Sequence, residues 1–119
     1  MILVVDDDER VRRMLKELLE GEGFAVETAG NGGEAFCMLR DRDDCQCMLL
    51  DMSMPDINGA QLLLLMQAEE IVTPVFVVTG FEDFEADEIG GFANVVGFFR
   101  KPMDTAALLD GIHNVLGKS

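Results

Sequence analysis

Short apolar runs alternate along the chain with segments of helical periodicity, and this alternation restricts the possible folds more than any other feature of the sequence. The runs are "ILVV" (2–5), "FAVETA" (24–29), "CMLLD" (47–51), "PVFVVT" (74–79) and "VGFFR" (96–100). Short runs that are apolar throughout are typical of strands buried on both faces. Strands that alternate with helices predict an α/β fold, in which helices cover both faces of a parallel sheet.

The segment after the first run has the apolar spacing of an amphipathic helix. Its apolar residues are Val11, Met14, Leu15, Leu18 and Leu19. Asp8 is expected to cap the start of this helix, and Gly21 or Gly23 to end it. Two further helices are predicted over residues 33–40 and 60–68.

The second half of the chain contains one clear helical pattern and one weak one. Asp104 is expected to begin the last helix, whose apolar residues are Leu108, Ile112, Val115 and Leu116. Segment 81–94 is strongly acidic, and Gly90 and Gly91 interrupt it, so we expect a short or mobile helix there.

Length and charge limit the class of protein. With 119 residues, of which 49% are hydrophobic, the chain is expected to form one domain over residues 1–119, with no output domain. The formal net charge is −14, so no direct binding to nucleic acid or to an anionic membrane is expected, because both require a basic face. The sequence contains no apolar stretch of about 18 residues and no signal peptide, which predicts a cytoplasmic location.

The three cysteines, Cys37, Cys45 and Cys47, do not have the spacing of a metal site, and His113 is the single histidine. We expect all three to be buried free thiols in a reducing compartment.

Polar residues stand where the predicted strands end. Asp6 and Asp7 follow the first strand, Asp51 ends the third, Thr79 ends the fourth, and Lys101 follows the fifth. In an open α/β sheet the carboxyl ends of the strands form the edge where ligands bind. Each residue alone has an ordinary explanation, such as a helix cap or a surface lysine, but their shared position at one edge favours a site.

The chemistry of such a site follows from the residue types. Clustered carboxylates repel one another unless a cation joins them, and oxygen ligands at a partly open site suit Mg²⁺. Asp51 could then act as a nucleophile, while the ammonium of Lys101 and the hydroxyl of Thr79 contact phosphoryl oxygens.

With the motifs "ILVVDDD", "LLDMSMPDING", "VVTG" and "FFRKP" in this order, the chain resembles the receiver domain of bacterial two-component response regulators over essentially its whole length. The resemblance implies a flavodoxin-like fold: a doubly wound, five-stranded parallel sheet of order 2-1-3-4-5, flanked by five helices. It also implies a histidine kinase or a histidine phosphotransfer protein as partner, an unknown downstream target, and a possible homodimer.

The resemblance also assigns roles to individual residues. Asp51 would be the phosphoacceptor, and Asp6, Asp7, Asp51 and the backbone carbonyl of Ser53 would hold Mg²⁺. Thr79 would be the switch hydroxyl and Lys101 the lysine that contacts the phosphoryl group, while the Lys101–Pro102 bond is usually cis in this family. Phe98 occupies the position of the switch aromatic, although it equally suits a plain core residue.

Three alternatives to a phosphoaccepting receiver differ from it in the residues that they require. A flavin mononucleotide binder of this fold needs a phosphate-cradling loop after the first strand, where this chain has the repulsive "DDDER". An aspartyl phosphohydrolase typically has a second acid two residues after its nucleophile, where this chain has Ser53. A degenerate receiver that acts only as a protein-interaction module is the third alternative, and the sequence does not decide against it. The sequence also leaves open whether self-catalysed phosphotransfer and autodephosphorylation amount to an enzyme activity.

Overall fold

Five strands and four helices make up the part of the chain that the computed structural model describes, residues 1–52, 54, 57–79, 92–101 and 104–117. In chain order they are β1 (Ile2–Val5), α1 (Glu9–Gly21), β2 (Val26–Ala29), α2 (Gly32–Asp41), β3 (Cys47–Asp51), α3 (Gly59–Ala68), β4 (Val75–Thr79), β5 (Val95–Arg100) and α4 (Thr105–Leu116). Each helix that the structure describes is too short to span a lipid bilayer.

The strands form one parallel sheet in the order β2-β1-β3-β4-β5. In this order β1 and β3 are neighbours, with Val5 opposite Leu50, so the residues that follow them meet at the same edge. The doubly wound, flavodoxin-like fold predicted from the sequence is confirmed.

Alternate residues of the central strands face two separate cores. Leu3 and Leu50 contribute to the core on the side of α2 and α3, whereas Val4 and Leu49 contribute to the core on the side of α1 and α4. Because both faces of the sheet are covered, β1 and β3 are buried along their whole length. This explains why their sequences lack polar alternation.

Most predicted element boundaries lie within two residues of the observed ones. Asp8 caps α1, since its side chain accepts a hydrogen bond of 2.8 Å from the backbone N–H of Arg10. Asp104 caps α4 in the same manner, by accepting from the N–H groups of Ala106 and Ala107.

The fifth helix and the burial of the cysteines are the two expectations that the described residues do not confirm in full. The fifth helix implied for segment 81–94 lies outside the described residues except for positions 92–94, where a turn leads into β5. The expectation that every thiol is buried is wrong for Cys37, which is exposed on α2, while Cys45 is half-buried and Cys47 is buried. Cys37 is exposed because it lies on the outer face of α2, whereas its neighbours Ala35 and Leu39 face the core.

Candidate functional site

Three carboxylates come together at the carboxyl edge of the sheet. Oxygen atoms of Asp6, Asp7 and Asp51 all lie within 4.8 Å of one another. Asp6 is only 3% exposed and Asp51 5% exposed, whereas Asp7 is open to solvent. The two buried carboxylates, Asp6 and Asp51, repel each other and the nearby Asp7, so a cation beside them is strongly favourable.

Lys101 supplies one such cation. Its ammonium lies 2.9 Å from Oδ2 of Asp6 and 3.7 Å from Oδ2 of Asp51, and its side chain is 27% exposed. Burial by itself lowers the pKa of the Lys101 ammonium, but the hydrogen bond to Asp6 and the charges of Asp6, Asp51 and Asp7 raise that pKa above its ordinary value. Lys101 therefore carries a full positive charge inside the acidic cluster.

The loop after β1 fixes the direction of the Asp6 carboxylate. Its Oδ1 accepts a hydrogen bond of 2.9 Å from the backbone N–H of Asp8, and its Oδ2 accepts one from Lys101. Asp8 in turn is the N-cap of α1, so the start of this helix and the position of the carboxylate depend on each other.

The end of β3 is held by α3. Asn58 and Gln61 form a capping box, in which each side chain accepts a hydrogen bond from the other residue's backbone N–H at 2.9 Å. Gly59 packs so closely on the chain after Asp51 that an added Cβ would lie 2.8 Å from the Cα of Met52. Only glycine permits this approach, which holds the end of β3 beside the first turn of α3.

The structure describes the remaining predicted site residues only in part. Thr79 ends β4 and lies opposite Arg100 of β5, but its side chain is outside the described part of the structure. Ser53 and Pro102 are also outside it, so the predicted metal contact of Ser53 and the predicted cis bond stay predictions. Phe98 is half-buried and packs against the core on the side of α2 and α3.

Arg12 was not singled out from the sequence. Its Nη1 donates a hydrogen bond of 2.7 Å to the main-chain carbonyl of Asp6. A signal was available, because Arg12 stands four residues after the N-cap Asp8 and helical side chains point back toward the N-terminus of their helix.

The carboxylate oxygens of this cluster suit a divalent cation that prefers hard oxygen ligands. All three groups are carboxylates, Asp7 leaves the site accessible, and the cluster contains no sulfur or imidazole ligand among the described residues. Mg²⁺ prefers oxygen ligands, binds through a few carboxylates and keeps several waters. The residues present therefore fit Mg²⁺.

The fold and this edge of the sheet define a class of domain: a doubly wound α/β domain with an acidic cluster and a lysine at the ends of its strands. Residues 2–113 match the family model described as the response regulator receiver domain. The chain therefore belongs to the response regulator receiver family, whose domains receive the signal in two-component signal transduction.

Similar proteins extend this result. The transcriptional regulatory protein SrrA of Staphylococcus aureus is 36% identical over 91 residues, which are 76% of this chain and 36% of SrrA. The chain thus spans about a third of the length of the curated relatives it matches. The response regulator StyR has 33% identity and a TM-score of 0.86, over 98% of this chain and 58% of StyR. The Thermotoga maritima response regulator TrrA, solved in complex with Mg²⁺-BeF, has 26% identity and a TM-score of 0.84, over 96% of each chain.

Proposed function

We propose that residues 1–119 form a single receiver domain that accepts a phosphoryl group on Asp51. The observation that carries this proposal is the buried Asp51 carboxylate, which lies within 4.8 Å of Asp6 and Asp7 and 3.7 Å from the ammonium of Lys101. Two buried carboxylates beside a lysine add little net stability to a fold, whereas such groups are common at reaction centres.

The transfer follows from the groups present. A carboxylate oxygen of Asp51 attacks the phosphorus of a phosphohistidine, the P–N bond breaks, and the imidazole nitrogen keeps the electron pair of that bond. Lys101 offers its positive charge to the phosphoryl oxygens, and Thr79 is proposed to contribute its hydroxyl. The product is an acyl phosphate, which is later lost to water.

Asp6, Asp7, Asp51 and the backbone carbonyl of Ser53 would hold Mg²⁺ in this proposal. The bound ion would supply positive charge against the phosphoryl oxygens, which carry the negative charge in the transition state. The TrrA complex supports this choice of metal for the family, and the three clustered carboxylates support it for this chain.

The output step is proposed to run through Thr79 and Phe98. Because the phenylalanine ring cannot donate a hydrogen bond, any signal through Phe98 must be a change of packing. Its position against the core on the side of α2 and α3 is compatible with such a change.

The partners belong to the proposal as well. The phosphodonor is proposed to be a histidine kinase or a histidine phosphotransfer protein in the cytoplasm, and homodimerisation is a possible output. The alternative is a degenerate receiver that binds its partner without phosphorylation. The pairing of Lys101 with Asp6 and Asp51 favours the phosphoacceptor, because an interaction module has no use for buried charges at this edge.

Phosphorylation with a small donor tests the proposal directly. Incubation with acetyl phosphate and Mg²⁺ should add the mass of one phosphoryl group to the intact protein, and chelation of Mg²⁺ should prevent it. Asp51→Asn should abolish the addition, whereas Asp43→Asn, an exposed acid in the loop before β3, should not. A folded wild type that gains no mass would support the degenerate receiver, and a phosphorylated Asp51→Asn variant would refute the assignment of Asp51.

A further inference from the structure

We infer that Arg12 is a positioning residue that holds the main chain of Asp6 and thereby sets the affinity of the acidic cluster for Mg²⁺. This inference rests on the proposed function, because it assumes that Asp6 is a metal ligand.

The contact is short and charge-assisted. Nη1 of Arg12 lies 2.7 Å from the carbonyl oxygen of Asp6, and both groups are shielded from solvent in part. A hydrogen bond from a guanidinium to a carbonyl is stronger than one between neutral groups, and the low local dielectric strengthens it further.

Arg12 contacts the main chain just beyond the point where the hydrogen bonds between β1 and β2 end. The ladder between β1 and β2 ends with Val5 opposite Ala29, and the N–H of Asp6 still donates to the carbonyl of Ala29 at 3.2 Å. The carbonyl of Asp6 lies beyond that ladder, and Arg12 is its hydrogen-bond donor. The peptide groups on both sides of the Asp6 side chain are therefore tethered, one by β2 and the other by α1.

Gly30 leaves the space that this arrangement needs. A Cβ added at Gly30 would lie 3.3 Å from Nη1 and 3.6 Å from Cζ of Arg12. The backbone of Gly30 does not have a positive φ, unlike that of Gly23 and Gly117, so conformational freedom does not explain a glycine here. The absence of a side chain lets the guanidinium pass over the end of β2.

Position and charge predict opposite effects for the loss of Arg12. If the guanidinium acted only through its charge, its removal would strengthen Mg²⁺ binding, because a cation near the carboxylates repels Mg²⁺. If it acts by holding Asp6, its removal weakens Mg²⁺ binding, because the carboxylate loses its fixed direction. The sign of the change therefore separates the two roles.

The experiment is a Mg²⁺ titration of the whole chain, followed by backbone amide shifts. Arg12→Met is expected to weaken the Mg²⁺ affinity about tenfold, as the loss of groups that orient a metal ligand commonly does. Arg13→Met removes the same charge one residue away, from an exposed side chain paired with Glu9, and should change the affinity by less than about twofold. Arg12→Lys keeps the charge and an N–H donor group, and should retain most of the wild-type Mg²⁺ affinity.

A substitution at Gly30 tests the contact between Arg12 and Asp6 without changing either residue. Gly30→Ala crowds the guanidinium and should weaken Mg²⁺ binding in the wild-type background, but not further in the Arg12→Met background. The free energy of unfolding without Mg²⁺ is measured for every variant, so that a loss of stability is not mistaken for a loss of affinity.

The outcomes are distinct. Equal or tighter Mg²⁺ binding by folded Arg12→Met, or equal losses in Arg12→Met and Arg13→Met, would overturn the positioning role while leaving the metal site intact. A wild type that binds no Mg²⁺ would refute the metal site itself, and this inference with it.

Discussion

The ammonium of Lys101 lies 2.9 Å from Oδ2 of Asp6, although 95 residues separate the two in sequence. The protein thus places its own cation in the acidic cluster, beside a carboxylate that is proposed to hold Mg²⁺. Lysine and the proposed metal would therefore compete for the same negative charge, and several consequences of this competition can be measured.

Lys101→Met should tighten Mg²⁺ binding and slow phosphorylation at the same time. Without the ammonium, the carboxylates repel one another and attract a divalent cation more strongly, while the phosphoryl oxygens lose a positive contact. Without Mg²⁺ the variant should be less stable by about 1–3 kcal/mol, between the values for surface and buried ion pairs. Mg²⁺ titration, acetyl phosphate kinetics and urea unfolding measure the three effects.

Lys16→Met is the control for that variant, because Lys16 is an exposed lysine on α1. It should change none of the three quantities appreciably. Mg²⁺ affinity that is unchanged or weaker in Lys101→Met would contradict the competition between lysine and metal.

Asp7→Asn should stabilise the protein without Mg²⁺ and destabilise it relative to wild type when Mg²⁺ is abundant. Asp7 is exposed and adds negative charge to the cluster, so its neutralisation relieves repulsion worth about 0.5–1 kcal/mol. It also removes a proposed metal ligand, so Mg²⁺ should stabilise the variant less than the wild type. Thermal unfolding over a series of Mg²⁺ concentrations should show the two stability curves crossing; parallel curves would exclude Asp7 from the metal site.

Gly59→Ala should destabilise the protein by about 2 kcal/mol, the usual cost of forcing an added group into a closely packed position. Its Cβ would lie 2.8 Å from the Cα of Met52 and 3.1 Å from the carbonyl oxygen of Asp51, so α3 has to move away from the end of β3. Acetyl phosphate labelling should fall as well, because the crowded atoms include the carbonyl oxygen of Asp51, the proposed phosphoacceptor.

Gly33→Ala is the matched control for this glycine, since it also lies in the first turn of a helix. Its Cβ would make only ordinary contacts, the closest at 3.4 Å from Asn31, so this variant should gain about 0.5–1 kcal/mol from the higher helix propensity of alanine. Equal changes in the free energy of unfolding for the two substitutions would show that the close approach of Gly59 to Met52 does not contribute to stability.

The cysteines should differ sharply in reactivity. Burial raises the pKa of the Cys47 thiol to about 12, with a smaller contribution from Cys45. A thiol reagent at pH 8 should therefore modify exposed Cys37 first, half-buried Cys45 more slowly, and Cys47 only after unfolding. Rapid labelling of Cys47 in the folded protein would contradict its buried position.

The same shift predicts a pH dependence of stability. In the unfolded chain Cys47 ionises near its ordinary pKa of 9.0, whereas in the folded protein it stays protonated up to about 12. The unfolded state therefore releases a proton first, and the free energy of unfolding should fall as the pH rises from 9 toward 12. Cys47→Ala should show a shallower fall in the same range.

The order of elements and the identity of the acidic residues could be read from local patterns. Continuous apolar runs predicted β1 and β3, because a strand buried on both faces cannot alternate. Asp6 and Asp51 could be assigned to one edge, because parallel strands with right-handed crossovers have all their carboxyl ends on the same side. Caps such as Asp8 are local as well, so they too were predicted.

Contacts between separate strands and helices were decided only by the tertiary structure. The pairing of Lys101 with Asp6 depends on how close the end of β5 comes to the end of β1, and the approach of Gly59 to Met52 depends on how α3 packs against the end of β3. The spacing of residues in the sequence predicts the direction of a side chain within one helix or strand. It does not predict the distance between two such elements. The sequence alone therefore determined which groups reach this edge, and packing determined which of them touch.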